Sequence, residues 1–137
     1  MSKSTAYLEL VFECNADDVF KAISTEEILR SFVGFGCSVD FKNGGKFSLY
    51  DGSVTGTFLS IKKNKQIVQK WRISSWPEKK SSTAKITFDG DSDGVCTVTV
   101  EHSDLPTDFS PDMAKSWWEN QMFKPMSMAC GFRFGED

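Results

Sequence analysis

Residues 110–131 read SPDMAKSWWENQMFKPMSMACG, and this stretch decides the fold. Ser110 is placed to cap the free amides of a helix start, and Pro111 takes the first helical position, where its missing N–H costs nothing. Asp112 adds a negative charge to the first turn, where the helix dipole favours it. Gly131 supplies a left-handed stop, with Phe132 positioned to fold back on Met126. At roughly 100° per residue, Met113, Ala114, Trp117, Trp118, Met122, Met126, Met128 and Ala129 cover about two thirds of the circumference. Ser116, Glu119, Asn120, Lys124 and Ser127 fill the polar strip that remains. A face this broad, carrying two tryptophans, needs a large apolar partner. Pro125 removes one backbone hydrogen bond and crowds the carbonyl of Gln121, which predicts a kink there. Phe123 falls among the polar residues. Either the kink turns it back into the core, or it is an exposed aromatic that a partner covers.

The chain upstream reads as the sheet that buries this helix. Residues 5–13 alternate, with Ala6, Leu8, Leu10 and Phe12 on one face, which predicts a half-buried strand. Asn15 opens a short helix with Asp17 and Asp18 in its first turn and Val19, Phe20 and Ile23 facing inward. Ser24-Thr25-Glu26-Glu27 is a capping-box pattern for a second, running through Ile28, Leu29 and Phe32 to Gly34 and Gly36. Antiparallel strands follow. Cys37, Val39 and Phe41 alternate, residues 42–45 (KNGG) turn the chain, Phe47 and Leu49 alternate, and Asp51-Gly52 signals a two-residue hairpin. Residues 54–61 form a strand in which Gly56 suggests a bulge or a close backbone approach. Residues 66–76 form the longest strand, with Ile67, Trp71 and Ile73 on one face. Ala84, Ile86 and Phe88, then Cys96, Val98 and Val100, mark two more. The fold class is therefore α+β: a curved antiparallel sheet of six or seven strands, two short helices after the first strand, and a long C-terminal helix closing the core.

At 137 residues the chain is expected to be one domain, 1–137, and a monomer. Charge is mixed, with a net −3, which gives no electrostatic support to a nucleic-acid partner or an anionic membrane. No apolar run approaches the ~20 residues of a membrane span, and no signal-peptide pattern opens the chain. Cys14, Cys37, Cys96 and Cys130 are widely separated, with no CxxC pair. In a domain with twelve Phe and four Trp they read as reduced thiols of a cytosolic protein.

Chemistry-bearing patterns are sparse. Residues 89–94 (DGDSDG) begin like a calcium loop, but the twelfth position, where a bidentate Glu is needed, is Val100. The stretch reads as an acidic hairpin turn. His102 is the sole histidine, and at a strand end it reads as a surface or satisfied structural residue rather than a general base. No phosphate loop, nucleophile elbow or zinc pattern is present, so neither a metal, a cofactor nor an enzymatic activity is expected. Residues 70–80 (KWRISSWPEKK) carry the most promise. Trp76 ends a strand and Pro77 forces a turn bearing Glu78, Lys79 and Lys80. An aromatic beside a rigid turn with a charged rim has the composition of a binding hot spot, although a lid over the core explains Trp76 equally well.

The run GGKFSLYDGSVTGTF at 44–58, then IVQKWRISSWPE at 67–78, then WWENQMF at 117–123 in a helix ending at Gly131, resembles the activator-of-heat-shock-protein-90-ATPase family. The likeness is to its C-terminal, START-like domain and covers nearly the whole chain. It implies the helix-grip fold, in which a curved sheet wraps the long helix. It also implies a cytoplasmic co-chaperone that binds the heat shock protein 90 dimer and promotes its ATPase-competent closed state. Trp76, Pro77, Glu78, Lys79, Lys80 and Phe123 are the candidate partner-binding residues. Full-length eukaryotic members of the family carry a separate N-terminal domain that docks on the chaperone's middle segment. Nothing here corresponds to it, so the chain is either a natural single-domain member or an excised domain, and binding by itself is expected to be weak. The alternative is a binder of a small hydrophobic ligand, since START-like folds often keep a cavity between sheet and helix. Met113, Trp117, Trp118, Met122 and Met126 either line that cavity or fill it, and bulky Trp with flexible Met favours filling.

Overall fold

The alternation of residues 5–13 becomes strand β1 (Ser4–Phe12), which buries Ala6, Leu8, Leu10 and Phe12. The computed structural model describes residues 4–34, 36–77, 79–92 and 94–136. Helices α1 (Ala16–Ser24) and α2 (Glu26–Val33) follow. Then come β2 (Ser38–Val39), β3 (Lys46–Leu49), β4 (Val54–Lys62), β5 (Gln66–Ile73), β6 (Ser82–Ser92) and β7 (Val95–Leu105). The long helix comprises α3 (Pro111–Trp117), a π-helical segment (Trp118–Phe123) and α4 (Lys124–Cys130), after which β8 (Phe134–Glu136) returns to the sheet. The strands form one antiparallel sheet in the order β2-β3-β4-β5-β6-β7-β1-β8. This is the expected helix-grip architecture, with eight strands in place of six or seven. The added strand is β8, held where Phe134 pairs with Phe12 and stacks on its ring at 5.2 Å. Three residues of sequence are too few to show a periodicity.

The helix departs from expectation in an instructive way. Ser110 caps it, its Oγ accepting from the Met113 amide at 3.2 Å. At the other end Gly131 adopts φ +76°, and the amides of Gly131 and Phe132 both return to the Ser127 carbonyl, at 2.8 and 3.0 Å. Only glycine takes that left-handed backbone without strain. Between the ends there is no simple kink at Pro125. The turn before it widens instead, and the Lys124 amide donates five residues back to Glu119. Widening relieves the clash between the proline ring and the Gln121 carbonyl. That carbonyl then accepts a hydrogen bond from the hydroxyl of Tyr50. The insertion also resolves Phe123. In a straight α-helix it would lie about 140° round from Trp118. Here the two rings stack at 6.0 Å, and Phe123 is fully buried. The exposed-aromatic reading of Phe123 is corrected: it is a core residue.

Other corrections are local. Met113 is 51% and Met128 86% exposed, and Ala129 is exposed, so the buried stripe narrows to Ala114, Trp118, Met122, Phe123 and Met126. The capping box expected at Ser24–Glu27 does not form. Thr25 is the cap residue without a side-chain bond, and Glu26 instead accepts from the Val39 amide at 2.8 Å while pairing with Arg30. With Thr25 as the cap, the residue three positions on is Ile28 rather than Glu27, and it has no carboxylate to reach back. The connection at Asp51-Gly52 spans residues 50–53, because Leu49 pairs with Val54. At Gly56 the close approach is realised, since a Cβ there would lie 1.9 Å from the Lys70 carbonyl oxygen and 2.4 Å from the Phe47 ring. The irregularity in β4 falls at Leu59 instead, between Phe58 and Ser60. Strand β5 stops at Ile73, so Trp76 lies in the following turn rather than at a strand end.

Candidate partner-binding site

All four tryptophans meet at one end of the inner sheet face, around Trp71. Its ring centroid lies 5.0 Å from Trp117, 5.8 Å from Trp76 and 6.2 Å from Trp118, with Phe109 stacked at 5.9 Å. Apolar surface drives this assembly, and offset or edge-on ring contacts add about 0.5–1.5 kcal/mol per pair. A polar chain threads the cluster. Trp118 Nε1 donates to His102 Nδ1 at 3.0 Å, His102 Nε2 lies 2.6 Å from Ser82 Oγ, and Ser82 Oγ donates to the Trp71 carbonyl at 3.1 Å.

Ser82 and His102 resemble a nucleophile and its base, but the hydrogens run the wrong way. An indole N–H only donates, so Nδ1 of His102 must be the acceptor and Nε2 must carry the proton. Nε2 therefore donates to Ser82, whose own hydrogen goes to Trp71. A base needs a free lone pair on the nitrogen facing the hydroxyl. Burial also holds the imidazole neutral, pushing its pKa down to about 3. His102 is a satisfied structural residue as expected, but it lies inside β7, which runs on to Leu105, and not at a strand end. The sequence did not show the Ser82 partnership; the register of β6 on β7 pairs His102 with Ala84 and sets Ser82 diagonally beside it.

Around this cluster the described residues of the loop at 74–80 are tied down by hydrogen bonds. The Trp76 amide turns back to Ile73 at 2.9 Å and the Lys80 amide to Pro77 at 3.0 Å. The Arg72 guanidinium donates to the carbonyls of Trp76, Pro77 and Lys80 at 3.1–3.2 Å. Trp76 keeps only 8% of its surface and packs on Trp71 and on Phe109 at 5.5 Å. It is a lid on the cluster. Pro77, Lys79 and Lys80 are exposed, and Glu78 lies outside the described residues. Phe123 is not brought to this loop; it touches the cluster only from the interior, through Trp118.

The outer face of β3–β5 adjoins the loop. Lys46, Ser48, Thr55, Thr57, Lys70 and Arg72 line a shallow groove there, which continues past Ser81 to Lys79, Lys80 and Asp104. Inside, the space between sheet and helix is about 30 Å³, lined among others by Phe58, Gln69, Trp118 and Met122. That is room for one or two waters, against the ~300 Å³ or more of a ligand pocket. Trp118 and Met122 fill this core. Among the described residues no group of three or more His, Cys, Asp or Glu is placed to hold a metal ion, and Asp93 of the acidic hairpin lies outside them. All four cysteines are free thiols, and burial pushes Cys14 up to about 12 and Cys96 to about 11, away from thiolate reactivity. No helix among the described residues is long and apolar enough to cross a membrane.

Residues 13–127 match the family model described as Activator of Hsp90 ATPase homolog 1-like protein. The chain belongs to that family. Among curated relatives, the human Activator of 90 kDa heat shock protein ATPase homolog 1 is 27% identical over 125 residues, covering 91% of this chain and 36% of the relative. The Dictyostelium discoideum homolog is 30% identical over 116 residues, covering 85% of this chain and 30% of the relative. The chain thus spans about a third of the length of these relatives. A crystal structure of an HSP90 activator from Plasmodium falciparum superposes with a TM-score of 0.89 at 23% identity, covering 96% of this chain and 99% of that one. At that identity the likeness establishes the shared fold.

Proposed function

We propose that this chain is a non-enzymatic, cytoplasmic co-chaperone module. It binds the heat shock protein 90 dimer as a monomer and favours the dimer's ATPase-competent closed state, weakly by itself. Membership of the activator family across residues 13–127 carries this reading. The geometry supports it in two ways. His102 is buried with its proton turned away from a base's task, and the space between sheet and helix beside Trp118 and Met122 is only about 30 Å³. What the surface offers instead is the pre-ordered turn at Pro77, Lys79 and Lys80 over a buried tryptophan lid. A turn already fixed by Arg72 loses little entropy on docking, which is how a small surface gains affinity. The test is a pull-down with purified heat shock protein 90, with and without a non-hydrolysable nucleotide. Capture strengthened by the nucleotide is expected, because a ligand shifts a conformational equilibrium only by its differential affinity for the two states. Equal capture in both arms would refute closed-state preference, and no capture would refute chaperone binding.

A further inference from the structure

We infer that the outer face of strands β3–β5, together with the Lys79–Lys80 turn, is a docking surface for an acidic, carboxylate-bearing face of the protein partner. The inference rests on the co-chaperone reading and extends it from the loop to the sheet. Strand alternation creates the surface. Lys46 pairs with Thr57, Thr57 with Lys70, and Thr55 with Arg72, so these side chains share one face and the groove between them. Lys46 and Lys70 are exposed, as are Lys79 and Lys80 at the groove's end. Among the described residues none of these four lysines is in an ion pair; the pairs present are Arg30 with Glu26, Lys42 with Asp40, and Arg133 with Glu13. Arg72 donates to backbone carbonyls, and among the described residues no carboxylate pairs with its charge.

The segregation runs against the composition. The chain as a whole is net −3, yet among the described residues the two adjoining stretches of groove hold five cations and one carboxylate, Asp104. The other carboxylates of the sheet strands are Asp89 and Asp91 on β6, Glu9 on β1, Glu101 on β7 and Glu136 on β8, so none stands on β3, β4 or β5. Gathering like charges on a folded surface costs self-repulsion, and a partner of opposite sign recovers it while steering encounter. Between the lysines stand Ser48, Thr55 and Thr57, short hydroxyl side chains that leave the cations accessible and can donate to carboxylates. An open, shallow groove on the outer face of the sheet suits a protein surface better than an enclosed small ligand.

The test compares Lys46→Glu/Lys70→Glu with Lys63→Glu/Lys115→Glu, which makes the same charge change at exposed lysines elsewhere. Binding to immobilised heat shock protein 90 is measured at about 50 and about 300 mM salt, with thermal melts confirming that both variants fold. For the wild type, affinity should fall about tenfold between the two salts. The sheet-face variant should bind about tenfold more weakly at low salt and lose most of its salt dependence, whereas the control keeps both within about twofold. If the wild type binds but the two variants behave alike, the face is wrong and the co-chaperone reading stands. If the wild type does not bind, both fall. Light scattering adds one outcome: a wild-type dimer at low salt that only the sheet-face variant disperses would make the occupant a second copy and overturn the proposal.

Discussion

The indole of Trp118 donates to Nδ1 of His102 across 3.0 Å of buried space, and this contact ties the long helix to strand β7 through the only histidine in the chain. Its thermodynamic consequence follows from the proton. His102 is fully buried beside Trp71, Phe109 and Trp118, and burial lowers its pKa from 6.5 to about 3. Above pH ~7 the imidazole is neutral in both folded and unfolded chains, and its contribution is fully present. As pH falls below about 6.5 the unfolded chain takes up a proton that the folded chain refuses. Stability then drops by up to about 1.4 kcal/mol per pH unit until the folded protein itself protonates near pH 3, a total of roughly 4–5 kcal/mol. Urea unfolding of wild type and His102→Gln at pH 7, 5.5 and 4.5 checks this. The variant should start less stable and lose less on acidification, and parallel curves would show that His102 does not control the window.

Replacing Trp118 separates its ring from its N–H. Trp118→Phe keeps much of the stacking on Trp71 and Phe123 but leaves Nδ1 of His102 without a donor, which should cost about 1–3 kcal/mol. Trp118→Ala loses the ring as well and should cost about 3–5 kcal/mol, enough to unfold a marginal domain at physiological temperature. Thermal melts of both variants rank the effects; an unchanged midpoint for Trp118→Ala would contradict its burial.

Tyr50 and Pro125 should be energetically coupled. The Tyr50 hydroxyl supplies the Gln121 carbonyl with the donor that a residue at position 125 would give if it had an N–H. Tyr50→Phe is expected to cost about 1 kcal/mol in the wild type. In a Pro125→Ala background, where the new amide can serve that carbonyl, the same change should cost less than half as much. A double-mutant cycle by chemical denaturation measures the difference. Strict additivity would mean that the hydroxyl does not stand in for the missing amide.

What the sequence made legible follows from periodicity. The burial of Leu8, Leu10 and Phe12, the Ser110 cap and the Gly131 stop all depend on residues within one turn or one strand, and each is where the pattern put it. Phe123 required the π insertion, which a fixed 100° step cannot produce; Pro125 marked the disturbance without its form. Trp76 read equally as lid or anchor because its burial comes from Phe109, more than thirty residues away. The basic face was hidden for the same reason. Lys46 and Lys70 become neighbours only through two successive strand registers, although Lys70 and Arg72 already showed a shared side by their spacing.

Arg72 should be irreplaceable by lysine. A guanidinium presents a planar fork that reaches the carbonyls of Trp76, Pro77 and Lys80 together, and an ammonium is a single point donor. Arg72→Lys therefore conserves charge but loosens the loop. Hydrogen exchange in residues 76–80 should accelerate at least tenfold while the melting temperature moves by only a few degrees. Chaperone binding should weaken mainly through a faster dissociation rate, since a pre-ordered turn is lost while long-range charge is kept. Unchanged loop exchange would show that the turn orders itself without Arg72.

The final expectation concerns activity and follows from the co-chaperone reading. Two-domain family members are expected to hold this domain near its site by docking a second domain, which for a short linker raises its effective concentration into the millimolar range. The present chain matches only about a third of its relatives, so used by itself it binds without that assistance. Its dissociation constant should then be micromolar or weaker, about −8 kcal/mol or less favourable. Stimulation of the chaperone's ATPase should be small and should need a large molar excess, while the chain alone hydrolyses no ATP. The measurement is a coupled ATPase assay in which this chain is titrated into the chaperone, free and fused to a family N-terminal domain. Fusion should move half-maximal stimulation to at least about a hundredfold lower concentration. Strong stimulation by the unfused chain at equimolar, sub-micromolar concentration would show that the Pro77–Lys80 turn and the adjoining basic sheet face, or another surface of this domain, already make a complete site.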